Sequence, residues 1–296
     1  MTEKLDELVE IIAKRVAERL KGLGVDSSKP GCSLSSESCN HCGLCLSKKP
    51  EAVNNLVKNG AARLSANLGV PANFDASMAK RIDHTLLKPD ATHDDLTKIC
   101  TEAKQYHFAT VCVNSSNIPF VARLLKGSDV LPIAVVGFPL GAASPQSKAF
   151  EAKEAIRAGA REIDMVINIG ELKSKNYRMV YEDIVAVVEA SKPHKVKVIL
   201  ETSNLTYDEK VAACVLSKTA GAAFVKTSTG FGSGGATVED IALMRRVVGE
   251  DMEVKASGGI RTTEDAEAMI KAGANRVGAS ASVAIVTGEK TKTKGY

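Results

Sequence analysis

From Met78 onward, short apolar, β-branched runs alternate with longer helical patterns, and this alternation limits the fold more than any other feature. The strand-like runs are KRIDHTLL (80–87), TVCVN (110–114), PIAVVGF (132–138) and EIDMVIN (162–168), followed by VKVILET (196–202), AFVKTST (223–229), EVKAS (253–257) and RVGAS (276–280). Between them lie patterns such as DDLTKICTEAKQYH, SPQSKAFEAKEAIRAG and TVEDIALMRRVVGE, several opening on Ser or Thr and closing on Gly, which is the capping chemistry of helix ends. Eight strand–helix units in about 215 residues predict an α/β fold of (β/α)8 TIM-barrel type. No G-x-G-x-x-G turn follows the first strand, which argues against a doubly wound dinucleotide-binding sheet.

Composition narrows the function classes. With 44% hydrophobic and 25% charged residues in 296, the chain has the make-up of an ordinary globular protein able to bury a core. It has no Trp, and a net charge of +4 spread along its length; both argue against nucleic acid as a partner. No apolar run approaches the roughly 20 residues needed to cross a bilayer. The charged N-terminus MTEKLDELVEIIAKRVAERL lacks the apolar centre of a secretory signal. A cytoplasmic location is expected, and the seven Cys are then candidates for metal ligands or free thiols.

Charged residues inside the strand-like runs are the informative ones. In FVKTSTG (224–230), Lys226 interrupts an apolar strand, although an unpaired ammonium taken out of water costs several kcal/mol. Asp83, Cys112, Asp164 and Lys255 occupy other strands. Any one of them alone is as well read as a buried ion-pair partner or a solvent-facing residue; their coincidence predicts two lysines and an acid in one barrel mouth. That set suits amine catalysis. Desolvation and a second ammonium lower a lysine's pKa towards neutrality, so Lys226 would form a Schiff base, Lys255 would supply the field, and Asp164 would move protons. ASGGIR (256–261) and VGASAS (277–282) follow the last two strands, where backbone N–H groups can cradle a dianion.

The motifs IDHTLLKP, VCVN, VVGFPLG, EIDMVINIG, KVILET, FVKTSTGFGSGGAT, VKASGGIRT and GAS resemble, in order along 78–290, the 2-deoxyribose-5-phosphate aldolase family. The resemblance implies a class I aldolase, needing no cofactor, that interconverts 2-deoxy-D-ribose 5-phosphate with glyceraldehyde 3-phosphate and acetaldehyde. It implies Lys226 as the Schiff-base lysine, Lys255 as the second lysine and Asp164 as the proton relay. Asp83 would touch substrate, Cys112 would sit beside the pocket, and Gly230, Gly258, Gly259, Gly278 and Ser280 would contact phosphate. Two departures stand out: the order Ser280-Ala281-Ser282 where some members have adjacent serines, and Phe231 where some have lysine.

The resemblance stops short of the N-terminal 75 residues, which divide into an amphipathic helix (1–22) and a Cys-rich and helical segment (23–75), ahead of the barrel (76–296). Cys32, Cys39, Cys42 and Cys45 form C-x6-C-x2-C-x2-C, a spacing that suits zinc or an iron–sulfur cluster, or else marks a metal-free linker. CNHCGLCLSKKP resembles the bacterial ferredoxin pattern, with Lys49 where its fourth Cys would stand. Leu5, Leu8, Val9, Ile12, Val16 and Leu20 make one stripe on the first helix. It is read either as docking on the barrel or a homodimer partner, or as resembling an encapsulation peptide for a bacterial microcompartment shell or cargo protein. Two other functions compete with the aldolase: a Schiff-base enzyme for another phosphorylated sugar, and an idle barrel whose N-terminal module binds metal or a partner.

Overall fold

The computed structural model describes residues 74–289, together with Lys14 and Glu18 at helical positions. Eight strands alternate with helices as the sequence pattern predicts. The strands are β1 (Ile82–Leu86), β2 (Thr110–Asn114), β3 (Leu131–Val136), β4 (Glu162–Val166), β5 (Lys195–Ile199), β6 (Phe224–Lys226), β7 (Glu253–Ser257) and β8 (Arg276–Ala279). The helices are α1 (Ala76–Ala79), α2 (His93–Tyr106), α3 (Ile118–Leu125), α4 (Pro145–Ala158) and α5 (Ile169–Lys173), then α6 (Tyr177–Ser191), α7 (Tyr207–Thr219), α8 (Val238–Val248), α9 (Thr263–Lys271) and α10 (Ser282–Thr287). Every strand pairs in parallel with the next, and β8 pairs with β1, so the sheet closes into a (β/α)8 barrel. The four Cys of the 32–45 cluster, the residues of the 1–22 stripe and residues 23–73 lie outside the described residues.

Local chemistry explains the helix starts. Thr92, Thr206 and Thr262 each accept a hydrogen bond from the third helical residue, while Asp95, Glu209 and Asp265 reach back to the capping N–H; this reciprocal box satisfies two otherwise orphaned donors. Gly159 and Gly288 end α4 and α10 in the left-handed conformation. His107 does the same for α2 at φ 54°, which a side chain other than Gly adopts at some cost.

The main apolar core lies between the strands and the helices, while a smaller cluster of Leu87, Cys112, Ile133 and Val135 is separate from it. Strands buried on both faces read as continuous apolar runs. The exceptions mark where the inner face departs from a plain hydrophobic filling, and they build the site.

Candidate active site

Because side chains alternate across a strand, register decides which polar groups meet. Asp164 pairs across the sheet with Lys197, Lys226 with Lys255, and Lys255 with Arg276, so these residues share one face. Their ion pairs form a closed circuit. Lys197 Nζ lies 3.1 Å from Asp164 Oδ1, and Lys255 Nζ lies 2.8 Å from Asp164 Oδ2 and 2.5 Å from Asp83 Oδ2. Arg276 reaches Asp83 Oδ1 at 2.6 Å and Glu162 Oε1 at 3.1 Å, and Glu162 closes the ring by pairing with Lys197. Three carboxylates alternate with three cations, and the ring is neutral.

Lys226 is the seventh member, with its Nζ 2.7 Å from Asp164 Oδ2, the oxygen already shared with Lys255. It is the one cation of the circuit without a carboxylate of its own. Burial pushes its pKa below the ordinary lysine value and Lys255 adds to that, with Asp164 opposing. For Lys255 the balance reverses: burial favours the neutral amine, but Asp164 and Asp83 outweigh it and raise the pKa. Asp164 is held well below the carboxylate range, because Lys197, Lys226 and Lys255 overcome its burial. Asp83 is lowered too, by Arg276 and Lys255 against burial. Two lysines on one carboxylate oxygen are thus shifted in opposite directions.

The ring lies deeper than the sequence suggests. Asp83, Asp164 and Lys255 are mid-strand residues with no exposure, so they sit inside the barrel instead of at its mouth. The short β6 makes the difference, since it ends at Lys226 and delivers that side chain alone of the three predicted catalytic residues to a cavity of about 100 Å³. The expected contact residues divide in the same way. Gly230, Gly258, Gly259, Gly278 and Ser280 all line the cavity, with Thr85, Leu87, Thr229, Ser257 and Arg261 among their neighbours. Asp83 and Cys112 do not. Asp83 has both oxygens taken by Lys255 and Arg276, with a further bond from Thr110 Oγ1 at 2.8 Å. Cys112 is fully buried, and burial raises its thiol to about 11, so it stands beside the ring as a neutral group.

Sequence reading missed Lys197, Glu162 and Arg276, though Lys197 interrupts VKVILET as Lys226 interrupts FVKTSTG. It missed Arg261, among the described residues the one charged side chain besides Lys226 on the cavity wall. It also missed Glu201. That residue is buried at φ 55° and accepts from Thr229 N–H at 3.2 Å and Thr229 Oγ1–H at 2.5 Å, bracing the turn that carries Thr229 and Gly230. No group of three or more His, Cys, Asp or Glu with metal-binding geometry occurs among the described residues, and none of the helices described is long and apolar enough to cross a membrane.

Comparison with known proteins agrees with this geometry. The family model described as DeoC/LacD family aldolase matches residues 77–289. A deoxyribose-phosphate aldolase of Clostridium novyi is 62% identical over 221 residues, covering 74% of this chain and all of that relative. Another from Streptococcus sanguinis is 62% identical over 211 residues, 71% of this chain and 96% of its own length. The solved tetrameric deoxyribose phosphate aldolase of Aeropyrum pernix superposes with a TM-score of 0.67 at 32% identity, over 78% of this chain and 95% of that one. A closed barrel, a depressed lysine at the end of β6 and relatives that match over nearly their whole length converge: the chain belongs to the DeoC/LacD family of aldolases.

Proposed function

We propose that the protein cleaves 2-deoxy-D-ribose 5-phosphate reversibly into glyceraldehyde 3-phosphate and acetaldehyde, with Lys226 as the nucleophile. The observation that carries this is the surplus cation of the ring, placed where it meets the cavity. Losing its proton leaves the circuit with three positive and three negative members, so the neutral amine needed for attack is the state that the burial favours. Lys226 Nζ adds to the C1 aldehyde and water leaves, giving a protonated imine. The C3 hydroxyl then gives up its proton as the C2–C3 bond breaks, and the bonding pair moves through C2 into the imine as an enamine. Protonation at C2 and hydrolysis release acetaldehyde and the free amine.

Asp164 and Lys255 take the proton transfers near Nζ. Asp164 is a weak base with its pKa so low, so its part is to hold and pass protons through the shared Oδ2, while Lys255, whose charged form Asp164 and Asp83 favour, opposes a proton on the amine of Lys226. Asp83 we assign to holding Lys255 in place, since its oxygens are already engaged by cations. The phosphate would lie against the turns at Gly230, Gly258, Gly259, Gly278 and Ser280, where backbone N–H groups and the Arg261 guanidinium supply charge. Borohydride reduction in the presence of acetaldehyde should place one ethyl group on Lys226, read by peptide mass, and Lys226→Ala should abolish both adduct and turnover. An adduct elsewhere, or one formed only with another phosphorylated sugar, would displace this reading.

For the segment ahead of the barrel we propose a separate role. The relative from Clostridium novyi is matched in full by 74% of this chain, so the first residues are additional to the catalytic unit. The helical stripe of 1–22 supports recruitment into a microcompartment, where a volatile aldehyde product would be retained. The four Cys support a zinc or iron–sulfur site, and we propose that the protein assembles as a homodimer. Deleting 1–22 should move the enzyme from shell to soluble fraction, metal analysis of anaerobically purified protein should give one ion or cluster per chain, and sedimentation should give twice the chain mass.

A further inference from the structure

Behind the cavity wall lies a polar chain that the charged ring does not use. His84 follows Asp83 on β1 and so faces the helices, where it is 2% exposed. Its Nδ1 lies 2.9 Å from Ser282 Oγ at the start of α10, and its Nε2 lies 2.8 Å from Glu102 Oε2 on α2. Ser282 Oγ in turn donates to the carbonyl oxygen of Ala279 at 2.9 Å. A serine hydroxyl has one proton. With that proton given to Ala279, the Nδ1–H tautomer of His84 satisfies both contacts at Oγ. The second contact ties the other ring nitrogen to a carboxylate oxygen of α2 at 2.8 Å.

The chain joins two adjacent strands whose ends both line the cavity. His84 and Ala279 are register partners across the β1–β8 seam. Thr85 and Leu87 continue β1 into the cavity wall, and Gly278, Ala279 and Ser280 supply the wall from β8. The groups around the imidazole leave Glu102 as its ionic partner. Lys98 lies 4.0 Å from the other oxygen of Glu102, the Phe108 ring packs at 5.2 Å, and the register neighbours Val111 and Ala279 are apolar.

We propose that His84 is a positioning residue for the phosphate end of the substrate: through Ser282 it sets the Gly278–Ser280 turn against the end of β1, and Glu102 holds the imidazole in the orientation that does so. This rests on the cavity being the phosphate-binding end, and the experiment separates the two. Kinetics are measured with 2-deoxyribose 5-phosphate and with unphosphorylated 2-deoxyribose for the full-length protein and for His84→Leu, His84→Asn and Ser282→Ala. The unaltered protein should prefer the phosphorylated sugar strongly; equal kcat/KM for both would overturn the phosphate reading itself. His84→Leu and Ser282→Ala should each raise KM for the phosphorylated sugar about tenfold and cut the preference by a similar factor, as loss of the buried His84–Ser282 hydrogen bond implies. His84→Asn, whose side-chain amide can stand where Nδ1 stood, should recover most of that loss. If the preference is intact in all three variants, or both substrates lose equally, the positioning role is wrong. Nitrogen NMR of the imidazole gives an independent check: Nδ1 should carry a proton, and an unprotonated Nδ1 overturns the chain. Should His84→Leu fail to fold, Ser282→Ala and the NMR measurement still decide the matter.

Discussion

Lys226 and Lys255 touch the same oxygen of Asp164, yet they are driven in opposite directions because Lys255 has a second carboxylate, Asp83, and Lys226 has none. This predicts the pH behaviour. A lysine titrating below its ordinary value of 10.5 is increasingly the free amine as pH rises through that lowered value, so kcat/KM should climb along a limb centred below 10.5. In Lys255→Met the like charge is gone and Asp164 is left with more attraction for Lys226. Both changes favour the protonated amine, so the limb should move to higher pH. The rate at neutral pH should then fall about tenfold for every pH unit that the limb moves. A pH profile of the two proteins checks this. Lys226 itself was legible from sequence because it breaks an apolar run. That Asp83 pairs with Lys255 and Arg276 was not, since its neighbours in the chain say nothing of Arg276, 193 residues away.

At the scale of elements, the strand-end turns divide the site into a charged floor and a glycine wall. A Cβ added at Gly278 would lie 2.3 Å from Ser257 Oγ, closer than real contacts allow, and 3.0 Å from Lys255 Cε, at their tight limit. Gly278 is thus the residue that lets β8 pass directly over the lysine. Gly278→Ala should force the Lys255 side chain or Ser257 to move, costing about 1–3 kcal/mol of stability and at least tenfold in turnover, as measured by thermal melts and kinetics together. The Gly-Gly pair in ASGGIR is readable as a turn from sequence alone. The close approach at Gly278 is not, because it depends on the register of β7 against β8.

For the molecule as a whole, the ring ties β1, β4, β5, β7 and β8 together through charge, and stability should follow its protonation. Asp83 and Asp164 have folded-state pKa values below the ordinary 3.8. Their contribution is therefore complete above about pH 3.8 and is lost as pH falls below it. Denaturant midpoints should hold steady down to the carboxylate range and then drop. Asp83→Asn should remove part of that drop and cost about 3–5 kcal/mol at neutral pH, since Lys255 and Arg276 lose a shared counter-charge inside the barrel. A chain beginning at Phe74 should keep the aldolase activity: Asp75 N–H already bonds Val286 O at 2.9 Å, and relatives complete at barrel length match the remainder.

The eightfold strand–helix alternation, the helix caps and the conspicuous lysine can all be read along the chain, because each is written in residues a few positions apart. Only the tertiary structure decided that Asp83, Glu162 and Arg276 close a neutral circuit with Lys197, Asp164 and Lys255, leaving Lys226 as the uncompensated cation. The physical reason is that charge balance in a barrel interior is a property of register and closure. Eight strands must be laid side by side, and the last joined to the first, before it is settled which carboxylate neutralises which cation and which cation is left over.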